Sequence, residues 1–215
     1  MAMHPNFEPY WTDYLKQFDL DSTHFKNIKG VGKTKKFCVI VEPRETPLLP
    51  LVIKNFMYLL QNKGWGLIVF HGTKNETFIR NALDGWDTIY FANLSKENLS
   101  LREYNDLFCS EQFWKELKKM GCEQCLSFET DTLLLNDNID DFIKYDYVGA
   151  PWCVKWLGLL EVGNSGLCLR NVNKMLEIVQ TCPRHTLLKD APLVNNDIYF
   201  SYWCFNFWIF YSILT

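Results

Sequence analysis

Between residues 37 and 128, short apolar runs rich in β-branched and aromatic residues alternate with stretches of helical length, and few folds accept that rhythm. Phe37–Val41 reads Phe-Cys-Val-Ile-Val and is bounded by Pro43, and Gly66–Phe70, Thr88–Phe91 and Cys125–Phe128 read as further strands. Between them Leu48–Gln61, Glu76–Leu83 and Leu101–Met120 carry apolar residues at helical spacing. Strands separated by helices of this length form βαβ units, which give a parallel sheet with right-handed crossovers. After residue 131 the rhythm changes. Asp140–Tyr145 reads as a helical turn, Tyr147–Ala150 and Gly166–Leu169 as short strands, and Asn171–Thr181 as a helix stopped by Pro183. The expected fold is therefore α/β in three layers, with a mainly parallel sheet that becomes mixed in its second half. Residues 1–36, polar and ending in the basic run Lys29–Lys36, read as an irregular lead-in, and residues 37–215 as one domain.

A chain of 215 residues suits one domain with a substantial core. Hydrophobic residues make up 48% and charged residues 22%, which excludes wholesale disorder. The net charge of −3 argues against nucleic-acid binding, because such domains carry a strongly basic face. Met1–Trp11 lacks the basic region and apolar stretch of a secretory signal. The eight cysteines, mostly inside apolar runs, are therefore expected to be reduced, buried thiols of a cytoplasmic protein. On the same grounds the sequons at Asn75, Asn93 and Asn98 are expected to stay unmodified.

Three segments carry candidate chemistry. Glu129-Thr130-Asp131 follows directly on the fourth strand. Ligands of open α/β sheets bind outside the carboxyl ends of the strands, and hard divalent cations prefer carboxylate oxygens that they share with substrate phosphates. The alternative is a solvated acidic loop. Gly163-Asn164-Ser165-Gly166 combines backbone freedom with hydrogen-bonding side chains, or is a hairpin without a ligand. Asn195-Asn196-Asp197 precedes an aromatic stretch and, taken alone, reads as a helix N-cap before it reads as a ligand site.

Taken in order, Cys38–Arg44, Tyr104-Asn105 with Phe113-Trp114, Glu129–Asp131, Tyr145–Trp152, Gly163–Arg170 and Asn196–Ser201 resemble an uncharacterised glycosyltransferase-like family, a domain of unknown function found in giant viruses and some cellular genomes. The resemblance spans roughly residues 37–204 and implies a GT-A (Rossmann-like) fold, a nucleotide-sugar donor, a glycan or protein hydroxyl as acceptor, and manganese or magnesium. By that analogy Asp131 would ligate the metal, and Glu129 would hold the donor's ribose, its sugar or a metal-bound water. Arg44 would sit near the nucleotide, and Asn164, Ser165 and Gly166 would border the transferred sugar. Trp152 would belong to the acceptor wall, and Asp197 would be the general base. If the chain is viral, the host cytoplasm or the virion would be its place.

This sequence departs from the family pattern at Asn196, where an acid is typical, and at Ser165, where glycine is frequent. Relatives continue to a segment with a further histidine, whereas no histidine follows His185 here. That difference makes a weakened or non-catalytic nucleotide- or glycan-binding module the alternative function.

Other features are set aside. Gly30–Thr34 resembles the end of a phosphate-binding loop, but Asn27 occupies the place of its first glycine. Cys122 and Cys125 have metal-ligand spacing without a second pair. Ile198–Leu214 is apolar and 17 residues long, at the lower limit for a membrane span. Its aromatic richness and Asn206 suit a buried or interfacial helix better, with Phe205–Tyr211 as a surface for self-association.

Overall fold

The structure, a computed structural model, describes residues 8–25, 34–86, 89–156, 160–182, 184 and 194–214. The elements are α1 (Glu8–Lys16), β1 (Lys36–Glu42), α2 (Leu48–Leu60), β2 (Trp65–His71), α3 (Glu76–Ala82), β3 (Ile89–Asn93), α4 (Leu101–Phe108), α5 (Glu111–Lys119), β4 (Gln124–Phe128), β5 (Tyr147–Trp156), β6 (Leu160–Asn171), α6 (Val172–Thr181) and α7 (Asn196–Leu214). A six-stranded sheet in the order β3-β2-β1-β4-β6-β5 joins them and is mostly parallel. The pairs β1–β2 and β2–β3 are parallel, and β5–β6 is antiparallel. The alternation of strand and helix is thus realised as expected, and so is the mixed second half of the sheet.

The chain packs as two compact units, residues 1–98 with 128–140, and residues 99–127 with 141–215. In the first, β2 is buried along its whole length and β1 along nearly all of it, which accounts for their continuous apolar sequence. Helix α2 turns Leu49, Val52, Ile53, Phe56, Met57 and Leu60 inward at helical spacing, and Phe56 stacks on Phe128 with ring centroids 4.0 Å apart. The lead-in is not wholly irregular. It holds α1 and the buried side chains of Leu15, Phe18 and Phe25, and Asp19 pairs with Lys54 of α2 at 2.7 Å. The lysine-rich run and the Gly30–Lys33 part of the phosphate-loop look-alike fall largely outside the described residues.

In the second unit the single helix expected over Leu101–Met120 is two. Ser100 forms a capping box with Glu103 at the start of α4, and Ser110 caps α5 by accepting the Phe113 N–H at 3.3 Å. The Trp114 indole N–H donates to the Phe108 carbonyl at 2.6 Å, satisfying a backbone acceptor at the end of α4. Strands β5 and β6 are far longer than the two short strands predicted. Helix α6 begins one residue after the expected start, because Asn171 is its N-cap and accepts the N–H groups of Asn173 and Lys174. Pro183, expected to stop it, lies outside the described residues. Among the described residues no helix is long and apolar enough to cross a membrane.

Asn55, fully buried on α2, donates to the Leu134 carbonyl at 3.0 Å and accepts the Leu134 N–H at 2.9 Å, fixing the chain three residues beyond Asp131. Asn55→Ala strands both backbone groups away from water, which should cost about 2 kcal/mol or more of unfolding free energy in urea titrations.

Candidate active site

The strands run in the order β3-β2-β1-β4-β6-β5, and ligands of open α/β sheets bind outside the carboxyl ends of the strands. Two short polar segments leave those ends. After β4 the chain turns at once: the Glu129 carbonyl accepts both the N–H and the hydroxyl of Thr132, at 3.2 and 2.7 Å. This tight turn carries Glu129, half-buried, and Asp131, exposed. After β1, the buried Glu42 carboxylate accepts the Nε and Nη2 donors of Arg44 at 2.8 and 2.7 Å, and the Arg44 backbone N–H at 2.9 Å. The bidentate fork of Arg44 is therefore engaged, with its side chain still 60% exposed. The Glu42 hydrogen bonds raise the Arg44 pKa, and the charges of Asp131 and Glu129 act in the same direction. Arg44, Glu129 and Asp131 thus share one electrostatic environment within the first unit.

Asn75 holds the Arg44 segment in place. Fully buried, it donates to the carbonyls of Glu42 and Arg44 at 2.9 Å each and accepts the Gly72 N–H at 2.8 Å. In the sequence it showed only as a sequon.

Among the described residues no group of three or more histidine, cysteine, aspartate or glutamate side chains gathers to hold a metal ion. Glu129 and Asp131 form a two-carboxylate set on one turn. Such a set fits a hard divalent ion that takes its remaining ligands from a diphosphate and water, and it does not fit a closed, all-protein cage.

The remaining candidates belong to the second unit. Cys168 opposes Gly149 and Asn164 opposes Ala150, so residues 165–167 bulge out of the β5–β6 ladder. Asn164, Ser165 and Gly166 therefore lie on a bulged strand and not in a hairpin loop. Bulges of this kind re-aim side chains and recur beside functional sites. Glycine permits the irregularity: a Cβ on Gly149 would stand 2.6 Å from the Asn164 carbonyl oxygen, and Gly163 has φ +135°. The exposed Asn164 turns its side-chain oxygen to the Gly166 N–H at 3.1 Å.

Gly163 also meets α7 and β5, since a Cβ there would collide with Ser201 and touch Trp152. Ser201 donates to the Asp197 carbonyl at 2.6 Å, and Trp152 packs with Tyr202 against Val194 and Ile198. The half-buried Trp152 is thus part of the seat of the first turns of α7.

Asn196 is the first residue of α7. It is buried, and it accepts Arg170 Nη2 at 2.8 Å through Oδ1 while its Nδ2 donates to Asn105 at 2.9 Å. Asp197, half-buried, accepts the Ile198 N–H at 2.8 Å. Burial pushes the Asp197 carboxyl above the ordinary aspartate range, while the Ile198 N–H and the Arg170 guanidinium pull the other way. Sequence reasoning carried Arg170 within a motif and gave it no role. The available signal was an arginine closing the apolar run Leu167-Cys168-Leu169, where a surface charge has no place.

This geometry belongs to a GT-A-like glycosyltransferase fold. The solved structure of the galactosyltransferase LgtC, in complex with donor and acceptor sugar analogs, is similar with a TM-score of 0.55 at 13% identity, covering 76% of this chain and 68% of that one. Residues 88–210 match the family described as protein of unknown function (DUF5672), and the chain belongs to that family. No curated protein matches the sequence.

The raised Asp197 pKa has a stability consequence. Between the unfolded value, about 3.9, and the higher folded value, the folded chain binds more protons, so ionising Asp197 costs stability. That cost is absent below the ordinary aspartate range and complete above the folded pKa. Asp197→Asn, which can still accept the Ile198 N–H, should melt at a higher temperature than the parent at pH 7. The advantage should shrink as the pH falls towards about 3.5. Melting curves across that range check it, and an advantage independent of pH would refute it.

Proposed function

We propose that this chain transfers a sugar from a nucleotide-sugar donor to a hydroxyl acceptor. The observation that carries this reading is the acidic pair on the tight turn directly after β4, sharing its electrostatic environment with Arg44, in a fold of the GT-A type. Donor recognition is assigned to Arg44, Glu129 and Asp131. Contacts to the sugar are assigned to Asn164, Ser165 and Gly166, and the acceptor side to Trp152. Asp197 is the general base: it takes the acceptor hydroxyl proton as the acceptor oxygen bonds to the anomeric carbon. The bond from that carbon to the diphosphate oxygen breaks, and its electron pair leaves with the diphosphate. A divalent ion, manganese or magnesium, held by Asp131 and Glu129, would supply Lewis-acid stabilisation of the departing phosphate.

The two-carboxylate set also favours a second reading, a nucleotide- or glycan-binding module that binds a donor without turning it over. A thermal-shift panel of nucleotide-sugars with and without manganese addresses the donor site. A ligand at 100 times its Kd adds about 2.7 kcal/mol of stability if it binds only the folded chain. Asp131→Asn should abolish the manganese-dependent part of that shift, and a shift equal to the parent's would refute the assignment.

Asp197→Asn separates the two functions. Under the transferase reading, turnover falls by about 10²-fold or more while donor affinity stays within a few-fold. Donor binding without turnover in parent and variant alike would leave the binding module.

A further inference from the structure

Arg170 is 1% exposed, yet it makes no ion pair with any described carboxylate. Its guanidinium carbon lies 4.9 Å from the ring centre of Phe108, 5.3 Å from those of Tyr147 and Phe200, and 5.9 Å from that of Trp114. Nε donates to Cys168 Sγ at 3.3 Å and Nη2 to Asn196 Oδ1 at 2.8 Å, while Nη1 has no hydrogen-bond partner among the described residues. Aromatic faces stabilise a cation but do not neutralise it. A guanidinium does not deprotonate in a protein, so a full positive charge persists inside this box. A buried charge without a counter-ion is costly, and an arrangement that keeps one gives its field something to act on.

The polar contact of Arg170 with α7 is Asn196, the neighbour of Asp197. Asn196 is neutral and cannot cancel the charge; an acid at that position would pair with Arg170 and absorb it. We propose that Arg170 is a positioning residue for Asp197: it fixes the first turn of α7 through Asn196, and its charge, which pairs with no described carboxylate, favours the ionised form of Asp197 that accepts a proton.

The other titratable groups whose charges couple to Asp197 support this assignment. They are Cys109 after α4, Tyr147 of β5 and Cys168 of β6. Burial pushes the Cys109 thiol up to about 12, and raises the Cys168 thiol and the Tyr147 phenol as well. All three are neutral at physiological pH, which leaves Arg170 as the charge that Asp197 senses among them.

The inference rests on Asp197 being the proton acceptor, so its test reads the charge coupling without turnover. In protein labelled with carboxyl-¹³C aspartate, the Asp197 resonance is assigned by its loss in Asp197→Asn and then followed through a pH titration. Arg170→Gln, which can keep a hydrogen bond to Asn196 but loses the charge, should move the Asp197 midpoint to higher pH. Arg170→Lys, which keeps the charge, should leave the midpoint near the parent's. An unmoved midpoint in Arg170→Gln overturns the proposal, as does an equal displacement in both variants.

If the substituted chains do not fold, the parent decides. Its Arg170 Nε resonance should titrate in step with Asp197, and that titration should vanish in Asp197→Asn. A resonance that stays still across the Asp197 midpoint overturns the proposal. A positive result with no loss of turnover in Asp197→Asn would keep the coupling and remove the catalytic role.

Discussion

Burial on both faces is the constraint from which the first unit follows. A parallel strand covered on each side has no solvated face on which to carry polar groups, so β1 and β2 are apolar along their length. Polar chemistry is displaced to where the strands end. Glu42 and Arg44 appear as β1 finishes, His71 and Asn75 as β2 finishes, and Glu129 and Asp131 as β4 finishes. The sheet concentrates charge there by excluding it elsewhere, and Asn55 and Asn75 then fix the departing chain with paired backbone hydrogen bonds.

The second unit solves a different problem. Its strands form an antiparallel hairpin that is bulged opposite Gly149, and a guanidinium is taken into the interior beside it. The rings around Arg170 come from β5, α4, α5 and α7, so one cation organises four elements. Asn105 and Asn196 extend that network to the start of α7. The polarity of the interior and the placement of Asp197 therefore have a common origin.

Much of the first unit was legible because its signals are local. An apolar run that breaks into Glu129-Thr130-Asp131 shows both a buried strand and its polar end. The break between α4 and α5 was also written locally, in Ser110, but helical spacing continues across it and hid the cap. The length of β5 and β6 was obscured because Gly149, Pro151, Gly163 and Gly166 interrupt strand alternation, and only the pairing of the two strands reveals a bulge. The interior place of Arg170 could not be read from pattern, which sends charges to the surface. Its partners also lie far off in sequence: Asn196 is 26 residues away, and the Asn105–Asn196 contact spans 91. Contacts such as Asn55 with Leu134, 79 residues apart, are equally silent until the chain has folded.

Asn75 opens an acceptor sequon, Asn75-Glu76-Thr77, and its side-chain nitrogen is also the donor that pins Glu42 and Arg44. Attachment of a glycan would convert that nitrogen from a buried double donor into the root of a bulky, hydrated branch. Glycosylation at this sequon and native structure at the β1 terminus are mutually exclusive. A chain modified there during synthesis would be locked out of its fold by a covalent bond. Production through a glycosylating secretory route thus calls for removal of Thr77, whereas replacing Asn75 would dismantle the very segment that production is meant to deliver.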